Sequence, residues 1–166
     1  TEKKKSAGML GNEGSLENEN SITTKEEESA GMYVENATAA NKKTITAEGK
    51  ASAGIYVKLD KAAGGTISGT NEGSNAVITM EKEGSAGMLG FVDSKVAAPS
   101  AKLTLTNQNS IVINSTASAG MMVTNNAAAV PVSNVKAVNT GIIDLNFTTT
   151  KAENIGILAN QRATGI

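Results

Sequence analysis

The stretch SAGMY at residues 29–33 decides the fold, because near copies of it recur along the chain. The copies are SAGML at 6–10, SAGMY at 29–33, SAGIY at 52–56, SAGML at 85–89, SAGMM at 118–122 and the degenerate NIGIL at 154–158. Their glycines are spaced by 23, 23, 33, 33 and 36 residues, so a basic unit of 23 carries insertions in its later copies. A repeat of this kind predicts that successive units stack on one another.

Two further landmarks keep step with the motif. An apolar residue stands seven positions before the first residue of each later copy; these are Ile22, Ile45, Ile78, Ile111 and Phe147. In the three longer units an asparagine follows another apolar residue by four positions; these are Asn71, Asn107 and Asn139. We expect the asparagines to stack at a corner and to exchange amide hydrogen bonds. Each unit is predicted to contain two or three short strands separated by turns.

Alternation of side chains favours strands over helices. Ala30, Met32 and Val34 share one parity, which the other copies repeat, and this parity is assigned to the inner face. No segment carries a sustained apolar stripe at helical spacing, and the hairpin dipeptides Asn-Gly and Asp-Gly are absent. Both prolines, Pro99 and Pro131, fall in inserted segments, where they remove no hydrogen bond from a strand ladder.

The sequence therefore predicts an all-β fold, a parallel β-helix of about six turns over residues 1–166. The narrow interior of such a coil suits a chain with 17 glycines and only 2% aromatic residues. The inserts cover approximately 58–66, 91–101 and 124–136, and they are expected to leave consecutive turns on one side as binding loops, spacers or a packing flap. An antiparallel repeat array and a partly disordered repetitive segment are the structural alternatives.

The motif residues have expected roles in this coil. The glycine sits either where the chain bends into the next strand or where neighbouring turns approach too closely for a Cβ atom. The serine before it is expected to form a ladder of hydroxyl groups from turn to turn.

Composition excludes several classes of function. The 16 acidic and 15 basic residues give a net charge of −1, so neither nucleic acid nor an anionic membrane is an expected partner. The chain has no histidine and no cysteine, which removes Ser-His-Asp and Cys-His catalysis, thiolate or imidazole zinc sites and disulfides.

A candidate binding stripe lies on the opposite parity of the motif strand. Its six members are Leu10, Tyr33, Tyr56, Leu89, Met122 and Leu158. Stacked at the inter-strand spacing of about 4.8 Å, they make an outward apolar stripe roughly 24 Å long. Such a stripe is a docking groove or a platform for sugars, because tyrosine offers a flat face. The competing interpretations are that inserts or a neighbouring copy cover it, or that the parity is inverted.

No catalytic, cofactor or metal site is predicted. Asp60, Asp93 and Asp144 are taken to lie in different phases of the repeat, so no carboxylate pair suits glycoside hydrolysis. The neighbourhood of Glu28, Glu48 and Glu83 is an alternative site for a divalent cation. The preferred interpretation is that these charges lie at corners exposed to solvent.

The tandem S-[AV]-G-[IM]-[YL] units, with Asn-Glu-Gly or Asn-Thr-Gly steps at 12–14, 71–73 and 139–141, resemble a known family. They are similar to passenger regions of type V autotransporters, especially the large outer-membrane adhesins of fusobacteria. The resemblance covers essentially the whole chain. It implies a right-handed β-helix displayed outside the cell, here as a single segment of a longer passenger domain.

The resemblance also implies a function. We expect a non-enzymatic adhesin segment at the outer-membrane surface, which attaches to a protein or glycan of host cells or other bacteria. Its link to the membrane would be a C-terminal barrel outside this sequence, and open ends of the coil would permit self-association. The alternatives are a β-helix enzyme that degrades polysaccharides and a structural stalk with no ligand.

Overall fold

A computed structural model of the chain describes residues 6–146 and 153–161. Within these residues the regular structure is almost entirely β-strand, and the one helical element is a 3₁₀ turn at Val132–Asn134. The strands form three sheets that run the length of the molecule.

Each sheet collects every third strand of the chain. Sheet 1 consists of β1 (Ala7–Asn12), β4 (Ala30–Glu35), β7 (Ala53–Leu59), β10 (Ala86–Val92), β13 (Ala119–Asn125) and β16 (Ile155–Gln161). Sheet 2 consists of β2 (Ser15–Asn18), β5 (Thr38–Asn41), β8 (Thr66–Asn71), β11 (Lys102–Asn107) and β14 (Val135–Asn139). Sheet 3 consists of β3 (Ile22–Thr24), β6 (Thr44–Ala47), β9 (Val77–Met80), β12 (Ser110–Ile113) and β15 (Ile142–Leu145).

The chain is a parallel β-solenoid, as the repeat predicts. Neighbouring strands in all three sheets are parallel, and each unit, long or short, contributes one strand to each sheet. Four unbroken turns lie between β1 and β13, so the predicted number of about six turns is not confirmed. The connection from β15 to β16 runs through residues 147–152, which lie outside the described part of the chain.

Register is fixed by the motif. Met32 of β4 pairs with Met9 on one side and Ile55 on the other, so equivalent positions of successive copies stack directly. The insertions leave this register unchanged, because they enter between a strand of sheet 1 and the next strand of sheet 2.

The core is a narrow column enclosed by the three sheets. Its largest fully buried side chains are Met32, Ile45, Ile55, Leu59, Ile78, Met80, Met88, Leu103, Leu105, Ile111, Ile113 and Met121. These side chains come from all three sheets and form one continuous cluster. Burial of apolar area stabilises a fold by about 25 cal/mol per Å², so this column holds the turns together without aromatic rings.

The motif glycine is explained by close approach. A Cβ atom on Gly31 would collide with Cγ2 of Ile45 and would lie 2.7 Å from the carbonyl oxygen of Gly54 in the next turn. The apolar landmark of sheet 3 therefore packs against the glycine of its own turn. Of the two expected roles for this glycine, the structure shows the close approach of neighbouring turns.

An asparagine ladder runs along the corner after sheet 2. Each side-chain amide donates to the carbonyl oxygen of the next, in the order Asn18, Asn41, Asn71, Asn107 and Asn139, at 2.7–2.9 Å. The predicted stacking of the last three is confirmed. The prediction missed Asn18 and Asn41, and it wrongly restricted this landmark to the longer units.

The motif serines also form a ladder, but with a different donor from the one expected. The backbone N–H of Ser29 donates to the hydroxyl of Ser52 at 3.3 Å, and Ser52 and Ser85 repeat this bond to the next serine. Ser6 and Ser29 are joined directly through their hydroxyls, at 3.0 Å. The bonds from Ser29 to Ser118 thus satisfy a backbone donor at each corner.

One landmark was placed on the wrong residue. Ile111 of β12 pairs with Ile143 of β15. The apolar landmark of the last turn is therefore Ile143 and not Phe147. Phe147 lies outside the described residues. Counting back seven positions from Asn154 failed because the final connection contains four more residues than its predecessors.

The three inserts leave the solenoid at one corner, as predicted, and pack on one another. The loop 93–101 bonds to the loop 60–65 through Ala97 N–H and the Ala62 carbonyl oxygen, at 3.0 Å. The Asn134 amide reaches the Pro99 carbonyl oxygen at 3.0 Å. The loops also bury Val96, Ala101, Ala127 and Val130 against the core. These contacts make the inserts a packing flap.

Candidate functional site

The candidate stripe is brought together as one ladder on the outer face of sheet 1. Successive pairs are Leu10 with Tyr33, Tyr33 with Tyr56, Tyr56 with Leu89, Leu89 with Met122 and Met122 with Leu158. Leu10 is 71% exposed, and the other five members are half-buried. The stripe therefore faces outward, and its parity was assigned the right way round.

The residues assigned to the inner parity of the motif strand are buried. Met32 and Val34 are fully buried in the core. Ala30 and Ala53 are buried as well, at 5% and 4% exposure, although they lie outside the core cluster and line a cavity beside the stripe tyrosines. The intervening glycine interrupts the strict alternation, because a Cβ atom there would meet the sheet 3 isoleucine.

A groove lies between the stripe and the serine corner. Its larger part is a cavity of about 590 Å³, lined by side chains of the stripe and by alanines. The lining residues are Ser6, Ala7, Leu10, Glu28, Ser29, Ala30, Tyr33, Ala51, Ala53, Tyr56, Lys58 and Leu89. A second cavity of about 230 Å³ lies against the equivalent residues of later turns, including Ala119, Met122 and Leu158.

The two tyrosines are the chemically distinctive part of the groove. Their ring centroids are 5.1 Å apart and their planes meet at 86°, an edge-to-face arrangement. The hydroxyl of Tyr33 donates to Glu35 Oε2 at 2.9 Å. Burial and this hydrogen bond raise the pKa of Tyr33 far above its usual value, and burial also raises the pKa of Tyr56. Both rings are neutral at physiological pH.

A charged network borders the groove on the side of the inserts. The carboxylate of Asp60 accepts hydrogen bonds from Asn36 at 2.7 Å, Lys58 at 3.0 Å and Lys95 at 3.1 Å. Hydrogen bonding with Glu35 and Asn36, together with the two ammonium groups, holds the pKa of Asp60 well below its usual range. Asp60 thus ties strand β7, the corner at Asn36 and the loop 93–101 together.

The sequence prediction missed this network, although part of its signal was present. Glu35 and Lys58 stand two residues after Tyr33 and Tyr56, so they share the outer face and pair across adjacent strands. Lys95 lies in a loop, and no spacing in the sequence places it at Asp60.

The carboxylates were also placed wrongly in one respect. Asp60 and Asp93 each follow paired strand ends, Leu59 and Val92, so they occupy equivalent positions of successive turns. Both are engaged locally, since Asp93 accepts from the backbone N–H of Lys95 at 3.0 Å. Asp144 lies apart from them, exposed on sheet 3.

The acidic neighbourhood of Glu28, Glu48 and Glu83 has no metal-binding geometry. Within residues 6–146 and 153–161, no three acidic side chains are grouped closely enough to hold an ion. Glu83 pairs with Lys50 at 2.6 Å, and this contact lowers the pKa of the Glu83 carboxyl.

In comparisons with known proteins, no protein-family model matches the chain, and no curated protein and no solved structure matches it. A search of the described residues for a helix long and apolar enough to cross a membrane finds none.

Proposed function

We propose that this chain is a non-enzymatic adhesin segment, part of an autotransporter-type passenger domain displayed at the outer-membrane surface. Its partner is a protein or glycan on a host cell or another bacterium. The observation that carries the proposal is the groove on sheet 1, where six outward apolar positions form one ladder beside a cavity of about 590 Å³. Exposed apolar surface arranged in a continuous strip is typical of interaction sites.

A binding role fits this groove better than catalysis. A glycoside hydrolase needs a carboxylic acid that keeps its proton near neutral pH. Asp60 has the opposite property, because its neighbours lower its pKa and occupy both of its oxygens. The near-zero net charge also offers no electrostatic attraction for nucleic acid.

The finer architecture belongs to the same proposal. We take the coil to be right-handed and to continue to about six turns as one segment of a longer passenger. Connections between parallel strands of one sheet are right-handed in about 98% of cases. The sixth motif copy, in β16, continues the ladder of sheet 1.

The test is attachment of the purified chain to host cells and partner bacteria. The variant Tyr33→Ser/Tyr56→Ser removes the rings from the groove, and Ile142→Ser is the matched control. Ile142 is an apolar side chain that is 65% exposed on sheet 3, away from the groove.

We expect saturable attachment that the double variant loses and the control keeps. Equal attachment by all three proteins would move the binding site off the stripe. Absence of attachment by folded wild-type protein would contradict the proposal and identify the segment as a stalk.

A further inference from the structure

The sequence contains three copies of the pattern Asn-X-Ser/Thr, in which X is not proline. They stand at 36–38, 114–116 and 146–148. This pattern, called a sequon, is the acceptor sequence for attachment of a sugar to the asparagine amide nitrogen. A transferase must reach the asparagine in an accessible segment of the chain, so the fold decides which copies can be modified.

The fold blocks the sequon at Asn36. The amide of Asn36 donates to Asp60 Oδ1 at 2.7 Å, and its oxygen accepts from the backbone N–H groups of Asp60 at 2.9 Å and Lys61 at 3.1 Å. Ala37 is buried, and Thr38 is the first residue of β5. Modification of Asn36 would require these contacts to break.

The sequon at Asn114 has a different setting. Asn114 follows the last residue of β12, is exposed, and precedes a bend in the chain at 115–117. Its amide donates to Glu81 Oε1 at 2.9 Å, and its oxygen accepts from the Asn146 amide at 3.1 Å. Both contacts are exposed to solvent. Water replaces exposed partners of this kind at small cost, so the Asn114 amide can leave them and enter a transferase.

A polar depression lies beside Asn114. It has a volume of about 240 Å³, and its lining residues are Lys50, Glu81, Lys82, Glu83, Ser115 and Thr116. The second and third residues of the sequon therefore belong to the lining, and the other lining side chains are charged. Hydroxyl, carboxylate and ammonium groups are hydrogen-bond partners for the hydroxyl groups of a sugar. A hexose joined to Asn114 would thus lie beside a polar surface that suits it.

We infer that Asn114 is an acceptor site for N-linked glycosylation and that the fold keeps Asn36 unmodified. In the reaction, the amide nitrogen of Asn114 bonds to C1 of a sugar that is activated as a diphosphate ester. The bond from C1 to the diphosphate oxygen breaks, its electron pair leaves with the diphosphate, and the amide proton passes to a base of a separate transferase. Asn114 is not a lining residue of either cavity of the groove, so its modification is separate from the proposed binding role.

The test is incubation of the purified, folded chain with transferases that recognise sequons. One arm supplies UDP-glucose and a soluble N-glycosyltransferase, and the other supplies a lipid-linked oligosaccharide and a membrane oligosaccharyltransferase. Trypsin cleaves after lysine and places the three sequons on different peptides, 26–42, 103–136 and 137–151, so mass spectrometry assigns the modified site. We expect sugar on 103–136 in at least one arm, and that arm identifies the class of donor. Absence of sugar from this peptide in both arms would overturn the inference.

The contribution of the fold is measured by comparing the folded chain with its peptides. In the folded chain, we expect Asn36 to be modified at least about tenfold more slowly than Asn114, because its hydrogen bonds must open first. The isolated peptides 26–42 and 103–136 are expected to react at similar rates. Equal rates for the two sites in the folded chain, or the same tenfold difference between the peptides, would contradict selection by the fold.

Variants of the sequon supply the matched controls. Asn114→Gln and Thr116→Ala are expected to abolish modification of 103–136. Thr116→Ser is expected to keep it and Ser115→Ala to leave it unchanged, because a sequon needs a hydroxyl at its third position and accepts any residue but proline at its second. Sugar on 103–136 in Asn114→Gln would assign the modification to another residue and overturn the inference. Unchanged far-UV circular dichroism shows that each variant is folded.

Discussion

At the residue scale, the corners before Ser29, Ser52, Ser85 and Ser118 are held in an unusual backbone conformation. Glu28, Ala51 and Ala117 have φ angles of 54°, 53° and 51°, and Gly84 at the same corner has 72°. Backbone hydrogen bonds stack these corners, from Glu28 N–H to the Lys50 carbonyl oxygen and from Ala51 N–H to that of Glu83. Glycine adopts this left-handed region without strain, whereas alanine and glutamate rarely do.

Ala51→Gly is therefore expected either to raise the free energy of unfolding by up to about 1 kcal/mol or to leave it unchanged. Relief of backbone strain favours the folded state, whereas the extra freedom of glycine favours the unfolded chain. Gly84→Ala is the reverse change at the equivalent corner and is expected to destabilise by about 1 kcal/mol. Urea unfolding of both variants measures the difference. A destabilising Ala51→Gly would show that the corner is not strained.

The motif glycines allow a second residue-level prediction. A methyl group on Gly54 would collide with Ile78 and would lie 2.5 Å from the Gly87 carbonyl oxygen, so backbone must move. Gly54→Ala is expected to cost more than about 2 kcal/mol, as overpacked positions do. At Gly156, the same position of the last copy, no atom of the described residues lies within 4 Å of an added Cβ, so Gly156→Ala should stay within about 0.5 kcal/mol. Similar losses for both, measured by thermal unfolding, would contradict the close-approach explanation.

At the element scale, the asparagine ladder ties the turns together along one corner. Asn71 is fully buried and donates to both Asn107 Oδ1 at 2.8 Å and the Ser110 carbonyl oxygen at 3.1 Å. Asn139, at the end of the ladder, is exposed. Asparagine therefore occurs both fully buried inside the ladder and exposed at its end.

Asn71→Ala is expected to cost about 2–3 kcal/mol, since buried acceptors lose their donors. Asn139→Ala should cost less than about 1 kcal/mol, because water replaces the lost partner. Denaturant unfolding of the pair compares the two positions. Equal costs would show that the ladder contributes no cooperative stability in the interior.

The Asp60 network predicts a pH dependence. Its pKa is lowered on folding, so the ionised carboxylate stabilises the folded chain at pH values above the unfolded pKa of about 3.9. That contribution is lost as the pH falls below this value toward the lower folded pKa. Asp60→Asn is expected to cost about 1 kcal/mol at pH 7, a modest figure suited to partly exposed lysine partners. The gap to wild type should narrow progressively as unfolding is measured at lower pH below about 3.9, and a gap independent of pH would contradict the role of the charge.

The sequence was most informative where residues recur at fixed spacing. Tyr33 and Tyr56 stand 23 residues apart in matching motif copies, so their pairing on one face followed from the period and the alternation of strands. Asn18 and Asn41 were missed because the asparagine was counted from the preceding apolar residue. Both stand four positions before the sheet 3 isoleucine, as Asn107 does, and that count would have found them.

Contacts between the inserted loops left no periodic signal in the sequence. Lys95 reaches Asp60 because two inserts of different length pack together, and neither length nor composition dictates this meeting. The edge-to-face angle of the tyrosines and the cavity beside them likewise depend on side-chain packing, which periodicity does not encode.

At the scale of the whole molecule, in-register stacking produces the ladder on which the proposed site is built. The stripe, the alanines of the groove and the two corner ladders all consist of one motif position repeated from turn to turn. A shift of one residue in any strand pair would reverse its inner and outer faces and would interrupt the groove. The proposed attachment therefore depends first on the register of sheet 1.

A distance measurement tests this register most directly. The chain has no cysteine, so spin labels at Leu10→Cys and Met122→Cys report on these two stripe positions alone. They lie four ladder steps apart, and double electron–electron resonance is expected to give a single narrow distance near 19 Å, four times the strand spacing of about 4.8 Å. A broad distribution, or a distance well beyond that value, would contradict the stacked stripe and with it the groove.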